Sequence, residues 1–231
     1  MSRCVVVFSG GQDSTTCLYL ARRDYDEVRA VSFDYGQRHR AELGAAVEVA
    51  KRAGVEHRVL TIGALGELKG GALTDDAKEV RAEGGFGGLP TTFVPMRNLV
   101  FLSLAAAWAV QWDEEFPRGI HPRPVDVMSG VCETDYSGYP DCRRATMDAL
   151  ESALSLGVDR KVRIVTPLMY LDKVETVRLA KRLPGCLEAL ALTVTCYQGR
   201  RPGCGECPAC ELRRRGFVGA GVADPGAHAA P

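Results

Sequence analysis

Short apolar runs alternate with helical patterns along the first 62 residues, and this alternation restricts the fold more than any other feature. The apolar runs span 4–8, 28–34 and 57–62, and apolar residues recur at helical spacing over 14–23 and 40–54. Connections this short between successive strands produce parallel neighbours with helices on both faces. The sequence therefore predicts an α/β fold built on a doubly wound parallel sheet.

The pattern is interrupted and then resumes. Eight glycines fall between Gly63 and Gly88 with little apolar periodicity, so 63–92 is predicted to be a lid, a binding loop or a subunit contact. Beyond this segment the sequence predicts helices over 98–110, 140–157 and 172–183 and strands over 125–131 and 162–168.

Composition limits the number of domains and the kinds of partner. A chain of 231 residues can bury one substantial core with a small appendage. The division predicted is a main domain over 1–190, a cysteine-rich module over 191–215 and a disordered tail over 216–231. With 29 basic and 29 acidic residues, the chain lacks the basic excess typical of proteins that grip nucleic acid. No leader pattern and no apolar run of about 18 residues is found, so we expect a cytoplasmic protein without a membrane span.

The stretch FSGGQDSTTC, residues 8–17, follows the first predicted strand. Gly10 and Gly11 let the backbone approach a ligand, and the next residues open a helix whose first N–H groups are unpaired and partly positive. Such a turn suits a phosphate or pyrophosphate. It is neither a Walker A loop, which needs lysine, nor GxGxxG; SGGQDS resembles the SGGxDS loop of the N-type ATP pyrophosphatases. The predicted ATP-binding residues are Phe8, Ser9, Gly10, Gly11, Gln12, Asp13, Ser14, Thr15, Thr16, Cys17 and Leu18.

Four of the nine cysteines are clustered near the end of the chain. Cys196, Cys204, Cys207 and Cys210 have the spacing C-x7-C-x2-C-x2-C. Disulfides are rare in reducing compartments, and four convergent thiolates suit tetrahedral zinc. An iron–sulfur cluster and free redox cysteines are the alternatives. A closed four-ligand site leaves no position for a substrate, so the metal is expected to be structural.

Five motifs in register resemble the 7-cyano-7-deazaguanine synthase family of queuosine biosynthesis. They are FSGGQDSTTC, FDYGQRHRAE, TDYSGYPDCR, TPLMYLDK and LTVTCYQG followed by CGECPAC. The resemblance implies an adenine nucleotide alpha hydrolase-like (PP-loop) fold, making 1–190 an ATP-dependent synthase domain. It also implies conversion of 7-carboxy-7-deazaguanine, ammonia and ATP to the nitrile through an adenylated acid, an amide and an adenylated amide. Family members bind one Zn²⁺ per chain and are often homodimers, and Asp13 would suit the Mg²⁺ of ATP.

The resemblance also suggests roles for individual side chains. Those expected to be catalytic are Asp13, Ser14, Arg97 and Lys173. Those expected to bind the substrate are Tyr35, Gln37, Arg97, Glu133, Asp135, Tyr136, Asp141 and Arg143. The family usually has glycine where Met96 stands here, which places the loop before Arg97 in question.

Two other functions compete with this assignment. A tRNA-thiolating PP-loop enzyme would need a sulfur-carrying cysteine, for which Cys132 and Cys142 are the candidates, and usually a nucleic-acid-binding segment. A catalytically silent nucleotide-binding domain with a zinc ribbon is the other. Neutral charge disfavours the first, and intact Asp13, Ser14 and Arg97 disfavour the second. We therefore expect small-molecule substrates and no direct nucleic-acid partner.

Overall fold

A five-stranded parallel sheet forms the centre of the molecule. The computed structural model describes residues 1–37, 40–75, 77–81, 83–114, 124–134 and 138–226. The strand order is β3-β2-β1-β4-β5, and every neighbouring pair is parallel. The strands are β1 (Arg3–Val7), β2 (Glu27–Asp34), β3 (Glu56–Thr61), β4 (Val125–Met128) and β5 (Val162–Val165). The order reverses between β1 and β4, so a crevice opens at their carboxyl ends. The predicted doubly wound sheet is confirmed.

Helices cover both faces of the sheet. They are α1 (Gln12–Asp24), α2 (Ala41–Ala53), α3 (Gly63–Glu67), α4 (Arg97–Glu114), α5 (Arg144–Gly157), α6 (Lys173–Arg182), α7 (Cys186–Leu190) and α8 (Pro208–Ala220). Alternation along β1 divides the core, because Cys4 and Val6 face one cluster and Val5 the other. Residues of α1, α2, α6, α7 and α8 belong to the first cluster, and residues of α4 and α5 to the second.

The glycine-rich segment over 63–92 has more structure than its sequence indicates. It contains α3 and a 3₁₀ turn at Phe86–Gly88. Leu65 and Leu73 are buried in the same core cluster as α4. These apolar residues are too widely spaced to produce a periodic signal, yet they hold the segment against the domain.

Helix α4 owes its strongly apolar sequence to burial within the chain. Leu102, Ala105, Trp108 and Trp112 pack in the core against the sheet. Among the described residues, no helix has both the length and the hydropathy needed to cross a membrane. The apolar run is therefore explained without a second subunit.

The structure corrects the prediction of a disordered tail from residue 216. Helix α8 continues to Ala220, and Gly221 ends it in the left-handed conformation with φ 64°. Beyond the helix, Asp224 accepts two hydrogen bonds of 2.7 Å from the Arg213 guanidinium. Glycine, alanine and proline dominate this stretch and suggested disorder, but one carboxylate anchors it; 227–231 lie outside the described residues.

We predict that Asp224→Asn destabilises the protein by about 3 kcal/mol, because it leaves the nearly buried Arg213 charge without its carboxylate. Urea unfolding of wild type and variant measures the difference. Asp24→Asn is the matched control, since the Asp24–Arg23 pair is exposed to solvent and its loss is expected to change the stability far less. Equal stabilities for Asp224→Asn and Asp24→Asn would contradict an anchoring role.

Candidate functional site

The loop between β1 and α1 presents a ring of polar groups at the carboxyl edge of the sheet. The Ser14 hydroxyl donates to the Gly11 carbonyl at 3.2 Å and lies 3.1 Å from the Ser9 hydroxyl. The Gly11 amide donates to the Ser9 hydroxyl. The first hydrogen bond of α1 runs from the Thr15 amide to Gly11, so the preceding amides of the helix are available to an anion.

Gly10 brings this loop into contact with α2. Its φ of +81° lies in the left-handed region. A Cβ at this position would lie 2.5 Å from the Glu42 carbonyl oxygen and 2.6 Å from the Ala46 nitrogen. Only glycine permits this approach, and it places the first turn of α2 beside the loop.

Two connected cavities open at this edge. The aromatic lobe encloses about 310 Å³ and is lined by Phe33, Tyr35, Phe101 and Tyr139, among others. The loop lobe encloses about 290 Å³ and is lined by Gly11, Gln12 and Lys173, together with residues of the cysteine module. Six residues line both lobes: Ser9, Asp13, Ser14, Glu42, Arg97 and Tyr197.

The aromatic lobe has flat walls. The rings of Phe33 and Phe101 stack at 4.4 Å between centroids, and Tyr35 packs against Phe101 at 5.4 Å. The Tyr139 ring is held in the lining by its hydroxyl, which lies 2.5 Å from that of Thr92, and by its contact with Phe93 at 5.2 Å between centroids. Aromatic walls of this kind suit a planar ring with polar edges.

Arg97 is directed into the cavities from the first residue of α4. Its guanidinium donates to the Tyr35 hydroxyl at 3.2 Å. Met96, immediately before it, has φ 65°, the left-handed conformation that glycine adopts at low cost. The methionine is therefore held in a glycine-like backbone, and Arg97 still lines both lobes.

Asp13 and Lys173 are joined across the loop lobe. The Lys173 ammonium donates to Asp13 Oδ2 at 2.6 Å, while Asp13 Oδ1 is buried without a hydrogen-bond partner among the described residues. Asp172 and Glu175 form a capping box that fixes the start of α6. The close approach of α8 also supports Lys173, because a Cβ on Gly216 would lie 2.9 Å from the Lys173 carbonyl oxygen.

Glu42 faces the junction of the two lobes from α2. Burial raises the pKa of its carboxyl from 4.5 to about 7, although the nearby Arg97 charge acts in the opposite direction. No hydrogen bond or ion pair to this carboxylate is present among the residues that the structure describes. A carboxyl with a perturbed pKa in a cavity is typical of functional sites.

The four clustered cysteines converge as predicted. Their sulfurs all lie within 4.8 Å of one another, with Cys204–Cys210 at 3.9 Å and Cys207–Cys210 at 3.4 Å. Tetrahedral zinc thiolate implies edges of about 3.8 Å, so the cluster could hold a metal ion. The Glu206 amide lowers the pKa of the Cys204 thiol to about 6, which favours the ligating thiolate.

Comparison with known proteins agrees with this geometry. Residues 3–221 match the family described as Queuosine biosynthesis protein QueC. The chain belongs to the QueC family. It is 51% identical over 230 residues to the 7-cyano-7-deazaguanine synthase of Laribacter hongkongensis, covering 96% of this chain and 92% of that protein. It is 53% identical over 228 residues to the synthase of the same name from Chromobacterium violaceum, with the same coverage.

A more distant likeness concerns the fold only. The solved structure of the U34-tRNA thiolase NcsA from Methanococcus maripaludis, with its 4Fe-4S cluster, is 16% identical at a TM-score of 0.48. The match covers 92% of this chain and 64% of that one. No function is transferred from a likeness of this size.

The predicted ATP-binding residues of this QueC family member occupy two environments. Phe8, Ser9, Asp13 and Ser14 line the aromatic lobe, and Gly11 and Gln12 line the loop lobe. The other predicted ATP-binding residues are buried and line neither lobe. They are Gly10, Thr15, Thr16, Cys17 and Leu18.

The predicted substrate-binding residues are only partly brought together. Tyr35, Gln37 and Arg97 line the aromatic lobe. Glu133 instead accepts a hydrogen bond from the Arg144 amide and is exposed, and Asp141 accepts one from the Asn98 amide, so these two carboxylates hold helix starts. Arg143 is exposed outside both lobes, and Asp135 and Tyr136 lie outside the described residues.

Sequence reasoning missed several residues that line the lobes. They are Glu42, Asn98, Phe101, Tyr139 and Tyr197. Phe101 lies one helical turn after Arg97, and Glu42 is the last residue of the motif FDYGQRHRAE. The sequence positions of both residues could therefore have predicted that they lie near the site. Tyr197 follows Cys196 of the cysteine cluster, and nothing in its sequence context indicates that it faces the cavity.

We predict that Glu42→Gln alters the pH dependence of stability. Because the folded-state pKa of Glu42 is raised, its ionisation destabilises the protein as pH rises from about 4.5 to 7. Glutamine does not ionise, so the variant is not destabilised in this way. Its free energy of unfolding minus that of wild type should increase by about 1–3 kcal/mol between pH 5 and pH 8. Melting temperatures of both proteins at the two pH values test this. A constant difference would show that Glu42 has an ordinary pKa.

Proposed function

We propose that this protein is a 7-cyano-7-deazaguanine synthase that converts 7-carboxy-7-deazaguanine, ammonia and ATP to the nitrile. One observation carries the proposal beyond the family match: a lobe with planar aromatic walls and a lobe with a phosphate-binding loop meet at six shared residues. A flat heterocyclic acid and the triphosphate of ATP would fill these lobes with the carboxylate and the α-phosphorus at the junction.

The residues at the junction suit adenylation. A carboxylate is a poor electrophile until it is esterified, and the reaction needs two anions to approach each other. Arg97 and Lys173 supply positive charge on both sides of the junction, and the amides at the start of α1 add donors for phosphate oxygens. Among the described residues, Arg97 has no carboxylate within ion-pair distance, so its charge is available to the substrate acid.

The second half of the reaction can use the same groups. After ammonia has given the amide, a second ATP activates the amide oxygen, and loss of AMP with two N–H protons gives the nitrile. The product is as planar as the acid, so it fits the same walls. We propose that one site therefore serves both steps.

The residues present fit two metal ions. Four thiolates within tetrahedral spacing suit structural Zn²⁺ at Cys196, Cys204, Cys207 and Cys210. The unpartnered Asp13 Oδ1 is a hard oxygen ligand beside the loop lobe, as Mg²⁺ prefers when it accompanies ATP. Mg²⁺ would screen the charge of the phosphates, and zinc would hold the module folded.

The tRNA-thiolating alternative is not supported by Cys142, one of its two candidate cysteines. Burial raises the pKa of the Cys142 thiol to about 12, so this group is a thiol and not the thiolate that sulfur transfer needs. Small-molecule substrates, without direct nucleic-acid binding, remain our proposal. A homodimer and a cytoplasmic location also remain predictions, the first from the family and the second from the sequence.

We predict that the purified protein contains about one zinc per chain and that Cys207→Ser abolishes this content. Metal analysis measures it, and visible absorption with bound iron would instead indicate an iron–sulfur cluster. Loss of the metal should lower both the melting temperature and activity, because the module supplies Tyr197 to the cavity. Cys186→Ser is the control, since Cys186 is buried outside the cluster; zinc loss in this control as well would contradict the assigned ligands.

The activity itself is tested by mass spectrometry of a mixture with ATP, Mg²⁺, ammonium and the 7-carboxylate. We expect the amide to appear first and then the nitrile. Asp13→Asn should reduce nitrile formation by about 10²-fold or more, because it removes the partner of Lys173 and a carboxylate at the phosphates. Asp24→Asn, at the far end of α1, should leave the rate unchanged. Turnover that requires sulfide and tRNA and ignores the free acid would refute the proposed function.

A further inference from the structure

Two carboxylates line both lobes, and they differ in what they contact. Asp13 is held by the Lys173 ammonium at 2.6 Å. Glu42 receives no hydrogen bond or ion pair among the described residues, although it is half-buried at the first turn of α2. The contact of its backbone with Gly10 fixes the start of this helix against the phosphate-binding loop. An unpartnered carboxylate has therefore been placed where the two lobes join.

The proposed reaction contains a step to which Arg97, Lys173 and the amides of α1 contribute no group. Ammonia exists mainly as ammonium near neutral pH, and ammonium has no lone pair with which to attack an acyl adenylate. A proton must leave the nitrogen before the C–N bond forms. General-base assistance requires a group within hydrogen-bond reach whose pKa lies near the working pH.

We propose that Glu42 accepts the proton of ammonium in the amide-forming step. The inference rests on the proposed function and assigns a catalytic residue to that reaction. Glu42 reaches the junction from α2, whereas the Asp13–Lys173 pair comes from α1 and α6, and Glu42 takes no part in that ion pair. Glu42 therefore offers an entering cation such as ammonium a carboxylate that forms no ion pair with a described residue of the protein.

Ammonium loses two protons on the way to the amide, and each has an acceptor. One N–H proton of ammonium passes to a Glu42 carboxylate oxygen. The nitrogen lone pair then forms the C–N bond at the acyl carbon, and the C–O bond to AMP breaks with its electron pair on the departing phosphate. The second proton lost by the nitrogen leaves with AMP, so the products are the amide, singly protonated AMP and protonated Glu42. Glu42 returns its proton to water when the products leave.

The surroundings of Glu42 suit this exchange. Burial raises its pKa to about 7, which makes it a stronger base than an ordinary carboxylate. The titratable and charged groups that line the two lobes around it are Asp13, Tyr35, Arg97, Cys132, Tyr139, Cys142, Lys173, Tyr197 and Arg213. Arg97 is the one that moves its pKa, downward, which keeps the carboxylate populated at neutral pH.

The other candidate acceptors are less suitable. Burial raises the pKa of the Cys142 thiol to about 12 and also raises the pKa of the Tyr139 and Tyr197 hydroxyls. These groups stay protonated at neutral pH and cannot accept the proton. Asp13 would have to give up its bond to Lys173.

The test compares two nucleophiles in Glu42→Gln, which keeps the size of the side chain and removes the base. Acid-dependent exchange of pyrophosphate into ATP, measured without any amine, reports adenylation and should stay within about threefold of wild type. Amide formation from ammonium at pH 7 should fall by about 10²-fold or more. Hydroxylamine is already neutral at this pH, so formation of the hydroxamate should stay within a few-fold of wild type.

Two further variants distinguish a role of Glu42 as a base from a purely structural role. Glu48→Gln makes the same change on the exposed side of α2 and should leave all three rates unchanged. Glu42→Asp retains a carboxylate and should recover part of the ammonium-dependent rate; it also serves if the glutamine variant does not fold. Amide formation at the wild-type rate in Glu42→Gln, or an equal loss with ammonium and hydroxylamine, would overturn the proposal. Absence of acid-dependent exchange in wild type would instead refute the proposed function.

Discussion

The contact between Gly10 and the first turn of α2 is the constraint on which the site depends. A β1–α1 turn alone would offer only the free amides of α1. Because the backbone of α2 lies where a Gly10 side chain would be, the turn is held in its left-handed conformation and Glu42 is carried to the same edge. Arg97 and Tyr35 reach this edge from α4 and the end of β2. The absence of a side chain at Gly10 therefore allows the β1–α1 loop to pack directly against α2, next to the residues that line the aromatic lobe.

The cysteine module is part of the cavity wall as well as a folding unit. Tyr197 and Arg213 line the loop lobe, and both lie within a few residues of the clustered cysteines. Helix α8 begins at the cluster and packs on α6 through Gly216, which lies against the Lys173 backbone. The four-thiolate cluster therefore supports the Lys173–Asp13 pair through two helices, without a ligand position of its own for a substrate. A metal ion held by this cluster would therefore influence the geometry of the loop lobe without contacting a substrate.

Features of the fold that depend on neighbouring residues in the chain could be predicted from the sequence. Strand and helix order, the loop at Ser9–Ser14 and the capping residue Asp172 follow from periodicity, glycine placement and short-range hydrogen bonds. The sequence was less informative where contacts join distant segments. The pairing of Asp224 with Arg213 and the entry of Tyr197 into the cavity depend on how α8 docks. The polar residues after β4 are a further case, because Glu133 and Asp141 accept hydrogen bonds from the starts of α5 and α4, which sequence spacing does not reveal; their role in substrate binding stays a prediction.

The distribution of charge at the junction explains how a protein without net charge can bind two anions. Lys173 is paired with Asp13, and Arg213 with Asp224, so two cations of the loop lobe are held in place by their own carboxylates. Arg97 is held by a neutral phenol and keeps its full charge. A polyanion that enters the loop lobe competes with these carboxylates for Lys173 and Arg213, but it meets Arg97 without displacing any carboxylate. Glu42 adds a negative charge to the junction that would repel phosphate. Its raised pKa reduces that repulsion, because part of the population is neutral when the anions arrive. The same environment that admits the nucleotide thus sets the basicity needed to remove a proton from ammonium.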